Sequence, residues 1–495
     1  MFSVLLSVSV IAFYHPDGSA LRVQVLRETM AVCTLQLNWS MHVCWQLGSC
    51  VKTMRRIYPD HAYGEAPRAT CYWPSTVASE DFSRARGEIK CDIAVIGAGF
   101  TGLSAAAKLA EEGENVVVLE AERPGWGASG RNGGFCCLGG AKAGDTLLRR
   151  MYGEDGRKEW RQAEVAAVEN ARSLIDTHGI ACDTHSDGET LMAHTPKAAA
   201  GYDDYARKIE NDYRVTPTVL TKAELAQNGM NGPFHGSITV PLGFALNPIK
   251  FTLGLAQAAI KAGARICGES AVRRIDQGSF GYTLHTDQAA IRAKRMIVAT
   301  NGYSSEDLPD WMRGRYLPTQ SNVIVTRQMT DDEIAAQGWS STQMCFDDRF
   351  LLHYFRLMPN KRMLFGMRGG LRSSPVGDSA MHTRIRQHFD TMFPAWRHVE
   401  TPHSWNGLLS ISPDLTPYAG PIPGMKGAVT GLSYHGNGVS MASYSGTLLA
   451  DLVRDRVPDK LYPKVMQRPP GRFMLGRARR AYLYALYGWA SLTGG

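Results

Sequence analysis

Three glycines in the stretch "DIAVIGAGFTG", residues 92–102, are spaced to grip a diphosphate. Gly97 permits a tight turn after an apolar strand, Gly99 lets the backbone approach a pyrophosphate, and Gly102 lets a helix pack close on the strand. Phe100 and Thr101 open that helix, whose first N–H groups and positive dipole end then face the phosphates. Glu120 ends a second strand 18 residues beyond Gly102 and is placed to accept from ribose hydroxyls, with Ala121 directly after it. A carboxylate there argues against a 2′-phosphate, so NADP is disfavoured and NAD and FAD remain.

The following loop, "RPGWGASGRNGG" at 123–134, favours the flavin coenzyme. Gly127, Ala128, Ser129, Gly130, Gly133 and Gly134 are small enough for the chain to run flat along an extended cofactor, and Arg131 and Asn132 offer donors within it. A merely flexible loop explains neither Trp126 nor the paired glycines. Further on, "HGNGVSMASYSGTLLADLV" at 435–453 sets Gly436, Asn437, Gly438 and Val439 at a glycine turn that starts a helix. Its N–H groups and dipole suit the negative charge that develops on a reduced flavin.

The substrate side is less marked. Tyr354 and Arg356 alternate with His353 and Phe355, and Arg356, if it faces the flavin, would hold a substrate carboxylate bidentately. Arg368 in "FGMRGG" is a rival for that role, and His435 lies beside the cofactor loop. For each of these a solvent-facing or internally satisfied side chain is the competing reading. Asp347-Asp348 reads as a solvated turn rather than a magnet for a cationic amine. No residue stands out as a catalytic base.

These residues need a scaffold. Lys90 to Glu120 reads as one β-α-β unit, in which "NVVVLE" has the continuous apolar character of a strand covered on both faces. Helices are predicted over 155–178, 197–213, 222–228 and 246–264, with another at "MHTRIRQHFDTMFP". "MIVATNGY" (296–303) reads as a strand returning to the first sheet, which brings Thr300, Asn301 and Gly302 to the cofactor. Alternation over 318–372 predicts antiparallel strands.

A chain of 495 residues is long enough for two packed domains, since single cores stop growing near ~250–300 residues. The net charge of +8 is concentrated in Lys464, Arg468, Arg472, Arg477, Arg479 and Arg480; +8 less these six leaves +2 for the body, which excludes a phosphate-tracking surface and hence a nucleic-acid partner. The basic, aromatic segment 477–492 is read as packing on the fold rather than lying on a membrane surface. Ten cysteines at irregular spacing, without a Cys-x-x-Cys pair or a His cluster, point to buried thiols in a reducing, cytoplasmic setting and to no metal site. Cys136-Cys137 is read as packing rather than redox-active.

Taken in order, "GAGFTG", "LEA", "GASGRNGG", "MIVATNGY" and "YHGNGVSMASYSG" resemble the D-amino-acid oxidase/glycine oxidase superfamily of FAD enzymes, closest to its gamma-glutamylputrescine oxidoreductase-like branch. The resemblance implies an α/β (α+β overall) fold, with a Rossmann-type FAD-binding domain and a second, mainly antiparallel-sheet substrate domain. It divides the chain into FAD-binding pieces at 54–150, 237–304 and 400–463, substrate-domain pieces at 151–236 and 305–399, and a basic closing helix over 464–495. It also places the Val272 backbone at the adenine. No Cys follows Cys345 and 121–134 holds no His, so the linkages some relatives make are absent and the FAD is expected to be non-covalent. The implied chemistry is oxidation of a C–N bond in an amine or amino acid, with hydride passing to flavin N5, imine hydrolysis, and reoxidation by O2 to H2O2. Alternatives are a dehydrogenase serving a quinone or an electron-transfer protein, and a flavin-binding or RNA-modifying relative.

Residues 1–53 differ in texture from the rest. "MFSVLLSVSVIAFYHPDG" has no basic residue before its apolar run, is shorter than the ~20 residues of a membrane span, and is followed by a poor cleavage site at Ser19-Ala20. We expect translation to begin at Met54, with 1–53 a disordered or artefactual leader. Intact mass of native protein should therefore match a start at Met54; a mass that includes residue 2, or one left by an early cleavage, contradicts this.

Overall fold

The Gly87–Ile96 strand runs between two parallel neighbours, Val116–Leu119 on one side and Ala289–Val298 on the other. Its last four residues, Ile93 to Ile96, are buried, as their apolar run requires in a sheet covered on both faces. The chain here is a computed structural model that describes residues 54–493, so the expected leader over 1–53 lies outside the described residues. Around the central strand the first sheet extends to Arg265–Cys267 at one edge and to Ala428–Leu432 and Tyr418–Pro421 at the other, with the Arg274–Gly278 and Gly281–His285 hairpin pairing antiparallel to Ala289–Val298. The predicted return of "MIVATNGY" is met: Met296, Ile297 and Val298 pair with Ala94, Val95 and Ile96.

At the end of the central strand the chain turns at Gly97 (φ +104°) into the Phe100–Glu111 helix. A Cβ on Gly102 would lie 2.0 Å from the Gly97 carbonyl oxygen, so only glycine lets the helix sit against its own turn. The Gly438–Leu452 helix, rich in Ser, Gly and Ala, is almost wholly buried, and both it and the Pro248–Lys261 helix pack against the Phe100–Glu111 helix.

The second sheet has eight strands in the order His403–Ile411, Leu317–Val325, Met363–Arg368, His353–Leu357, Met344–Asp347, Glu189–Met192, Gly236–Val240, Thr218–Thr221. All its pairings are antiparallel except Met344–Asp347 with Glu189–Met192. Two of these strands come from stretches that the sequence assigns to the FAD-binding pieces. Gly236–Val240 pairs with Glu189–Met192 and Thr218–Thr221, and His403–Ile411 pairs along the whole of Leu317–Val325. Continuous backbone pairing, invisible in composition, decides their sheet. One face of this sheet rests on an aromatic core of Phe355, Phe365, Phe389, Phe393, Trp339 and Trp396.

Helix boundaries differ where caps decide them. The Asp145–His178 run is two helices joined across Gly153 (φ +75°, ψ 176°); the second matches the predicted 155–178 helix and the first precedes it. The helix expected at 381 starts at Pro375, where the Ser374 hydroxyl accepts from the Gly377 N–H and proline suits the first turn.

The C-terminal segment packs rather than floats. Arg479 is fully buried and donates to Glu306 (2.7 Å) and to the Tyr316 carbonyl (2.7 Å), while Arg480 lies over the Tyr58 ring and donates to the Leu371 carbonyl. No described helix is long and apolar enough to cross a membrane. Removing one member of a buried pair leaves an uncompensated charge. Arg479→Ala should therefore lose about 3–5 kcal/mol of unfolding free energy, read by denaturant titration, whereas truncating the exposed Arg207 should change it by less than about 1 kcal/mol.

Candidate active site

A cavity of about 490 Å3 lies between the strand ends of the first sheet and the open face of the second. Gly97, Gly99, Phe100 and Thr101 line one end with Glu120, Ala121 and Val272; Ala128, Ser129, Arg131, Asn132 and Gly133 line its length; Thr300 and Asn301 join them, and Gly436, Asn437, Gly438 and Val439 close the other end. Gly102, Gly134 and Gly302 do not reach it. They sit behind the wall, where side chains would strike the carbonyls of Gly97, Leu246 and Leu408.

The cofactor end is preorganised. Glu120 accepts from the Ala98 N–H (2.7 Å) and the Glu122 N–H (3.1 Å), which fixes its carboxylate beside the glycine turn. Burial pushes its pKa up. A Cβ on Gly99 would approach the Ser129 hydroxyl to 2.7 Å, and that hydroxyl already accepts from the Phe100 N–H, so the helix start and the 123–134 loop meet in a space only glycine leaves open.

Arg131 is 2% exposed, stacks on Trp126 at 4.1 Å, and donates to the Trp126 carbonyl (2.8 Å) and the Asn406 carbonyl (3.3 Å). Its Nη2 is buried with no acceptor from the protein. An orphaned guanidinium N–H on the wall of a long cavity calls for an acceptor from a bound molecule, and an FAD laid from Glu120 towards Gly438 fits these residues. Asn132 is corrected in role. Its amide donates to the Ala128 and Ser129 carbonyls and accepts from the Gly134 N–H, so it braces the loop instead of offering donors outward. Asn437 likewise spends its amide on the Leu138 carbonyl (2.7 Å) and the Cys137 sulfur (3.3 Å), leaving the helix backbone to face the cavity.

Of the four substrate-side candidates, Tyr354, Arg368 and His435 line the cavity and Arg356 does not. Tyr354 lies against Gly133 and Gly366, with its hydroxyl paired to Ser321 (2.9 Å) and its pKa raised by burial. Arg368 lines the cavity, donates to the His435 carbonyl (3.3 Å), and has its pKa lowered by burial. Arg356 is a correction: it is 1% exposed and spends its guanidinium on the Gly133 carbonyl (3.1 Å), the Leu246 carbonyl (2.7 Å) and His185 (2.8 Å). It clamps the loop to the second sheet and does not line the cavity. His435 is the second correction. Its Nδ1 pairs with the Gly140 carbonyl (2.8 Å) and its Nε2 accepts from the Ser412 N–H (3.2 Å). Burial pushes its pKa down to about 3, so the ring stays neutral and both nitrogens are committed.

Asp347 is no solvated turn: it is buried and paired with His353 and Arg349, while Asp348 pairs with His194. Cys136 and Cys137 are buried, and burial raises both thiols, as packing requires. No described group of His, Cys, Asp or Glu is arranged to hold a metal ion.

The sequence reading missed six charged residues of the cavity wall, Arg56, Glu122, Lys142, Arg161, Glu164 and Glu189, of which Lys142 and Glu189 bear on the chemistry. Lys142 has its pKa pushed down to about 8, first by neighbouring Arg368 and then by burial. Glu189, heading the Glu189–Met192 strand, has its carboxyl pushed up to about 7 by burial, against the opposing effects of Cys137 and Lys142. Neither "GGAKAGD" nor "SDGETLMAH" carries a local signal for this, because a charge at a strand start usually meets water.

Comparison with known proteins agrees with this geometry. Residues 92–452 match the family model DAO, FAD dependent oxidoreductase. The chain is 27% identical over 417 residues to the probable oxidoreductase OrdL of Rhizobium meliloti (strain 1021), covering 82% of this chain and 92% of that one. It is 28% identical over 374 residues to the gamma-glutamylputrescine oxidoreductase of Escherichia coli (strain K12), covering 75% and 86%. In fold it is similar to the crystal structure of glycine oxidase from Geobacillus kaustophilus, with a TM-score of 0.63 at 20% identity over 77% of this chain and 100% of that one. The glycine turn, the carboxylate of Glu120 beside it and the two-sheet cavity thus have their explanation in descent: the chain belongs to the DAO family of FAD-dependent oxidoreductases, which act on amines and amino acids.

Proposed function

We propose that this protein oxidises the C–N bond of an amine that also bears a carboxylate, an amino acid or a gamma-glutamyl-amine-like conjugate, with non-covalent FAD and with O2 as final acceptor. The observation that carries this is the Lys142–Arg368 pair. Two cations share one cavity wall: Arg368 lowers the pKa of Lys142, burial lowers that of Arg368, and no carboxylate among the described residues forms an ion pair with either. A site so arranged is complete only with an anion from outside.

When bound, FAD supplies the two-electron acceptor for the oxidation. The chain's own residues position the substrate. Arg368 and Lys142 hold the carboxylate, Tyr354 and Ser321 form a polar wall, and Leu191, Ile238, Val240 and Phe346 exclude water beside them. The orphan Nη2 of Arg131 and the first turn of the Gly438–Leu452 helix are placed for the cofactor. The lack of a Cys beyond Cys345 and of a His in 121–134 supports dissociable FAD. Seven free, buried cysteines among the described residues suit a reducing, cytoplasmic setting.

Anaerobic mixing of the yellow protein with matched amines tests the reading. Carboxylate-bearing amines should bleach the flavin and their decarboxylated counterparts should need far higher concentration. Arg368→Ala should weaken binding roughly 10- to 150-fold, the loss of about 1.5–3 kcal/mol from a charged hydrogen bond, with Arg368→Lys intermediate. Equal bleaching by both amine classes contradicts the proposal. Under air, stoichiometric peroxide marks an oxidase; flavin reoxidation by a quinone without peroxide marks a dehydrogenase instead.

A further inference from the structure

The cavity wall contains four carboxylates among the described residues: Glu120, Glu122, Glu164 and Glu189. Three have other work or another place. Glu120 is held by backbone N–H groups at the glycine turn, and Glu122 neighbours it there. Glu164 pairs with Arg161 (2.7 Å) and accepts from the Tyr213 hydroxyl (2.8 Å). Of the four, Glu189 alone lies on the second sheet, and it forms no ion pair among the described residues.

Its place in the fold is specific. Along the Glu189–Met192 strand, Glu189 and Leu191 face the cavity while Thr190 and Met192 are buried on the other side. Glu189 lies in register with Val240 on one neighbouring strand and Met344 on the other. The cavity-facing residues nearest it on this sheet, Leu191, Ile238, Val240 and Phe346, are all apolar. The Cys137 thiol lies close enough to oppose the rise in its pKa, and Cys137 in turn receives the Asn437 amide at 3.3 Å. That chain ties Glu189 to the residue that starts the Gly438–Leu452 helix at the cofactor end.

We propose that Glu189 is the catalytic acid–base residue of the amine, the carboxyl that holds the substrate ammonium and takes its proton. This rests on the carboxylate-bearing-amine reading above. The ammonium N–H bond breaks, its electron pair stays on nitrogen as the lone pair, and the proton joins a Glu189 carboxylate oxygen. A buried ammonium–carboxylate pair thereby becomes a neutral amine beside a neutral acid. Only the neutral amine can release the two electrons that its oxidation sends to the FAD, so the proton must leave first. A lone carboxyl in apolar surroundings, with its pKa pushed up to about 7, is matched to that transfer at neutral pH.

The groups that face Glu189 sort themselves by pH. The thiols of Cys136, Cys137 and Cys345 and the Tyr205 hydroxyl are all raised by burial and stay protonated through the working range. Lys142 is the neighbour that titrates nearby, at about 8. Reduction by substrate should therefore rise as pH climbs through about 7, where Glu189 becomes a base, and lose substrate affinity above about 8 as Lys142 discharges.

Anaerobic stopped-flow reduction of the holoenzyme across this pH range, with an amino acid that bleaches wild type, is the test. Glu189→Gln should slow reduction roughly 10²- to 10⁴-fold, the usual reach of general acid–base catalysis, and remove the limb near 7. Lys142→Met should keep that limb and lose the upper one. Binding of a carboxylate-bearing, non-oxidisable ammonium analogue, read from the flavin spectrum, should lose its limb near 7 in Glu189→Gln. Should Glu189→Gln not retain FAD, Glu189→Asp is expected to keep the limb at a reduced rate. A Glu189→Gln enzyme with an intact limb near 7 and near-wild-type reduction overturns the role of Glu189 alone. If no carboxylate-bearing amine bleaches wild type, the substrate reading fails, and this role falls with it.

Discussion

The structure hangs on one close approach: the Phe100–Glu111 helix begins so near its own strand that Gly102 lies against the Gly97 carbonyl. That contact aims the first turn of the helix at the open ends of the first sheet, where a diphosphate gains both N–H donors and the dipole. Every other cofactor-facing element is positioned relative to this turn. Glu120 is held by the Ala98 N–H, Ser129 by the Phe100 N–H, and Tyr434 by Thr101. The parallel strands on either side supply these residues from stretches hundreds of positions apart.

On the opposite wall the governing effect is desolvation. The second sheet offers a mostly apolar face into which Arg368 and Glu189 are set, with Lys142 reaching the cavity from a loop, and Lys142 and Glu189 offset each other only in part. Burial lowers the arginine, raises the glutamic acid, and joins Arg368 in lowering the lysine. Charges left in this condition are costly in the free protein and become useful when a ligand of complementary charge arrives. The contrast with Arg356 is instructive. It is more deeply buried than these, and two carbonyls and a histidine ring satisfy it, so it serves as a brace.

The cofactor side was legible because its requirements are local: glycine spacing, a strand before, a helix after, and an acid at a set distance. Tyr354 was legible from alternation on its strand, and Arg356 shares that alternation, but what lies over each depends on a loop more than two hundred residues earlier. His435 looked available beside the cofactor loop until Gly140 and Ser412 took both its nitrogens. Lys142 and Glu189 were not legible, since each is unremarkable in its own segment and their proximity comes only from the convergence of the two sheets. The strands Gly236–Val240 and His403–Ile411 show the same limit, because pairing partners and not composition place them in the second sheet.

The claim beneath all of this is that distant segments converge to hold one flavin dinucleotide. The visible absorption spectrum of the purified chain, taken before and after incubation with FAD and removal of the excess, tests it most directly. The account predicts a yellow protein that carries, or takes up, one FAD per chain and releases it intact on denaturation. A chain that folds yet stays colourless after reconstitution would contradict it.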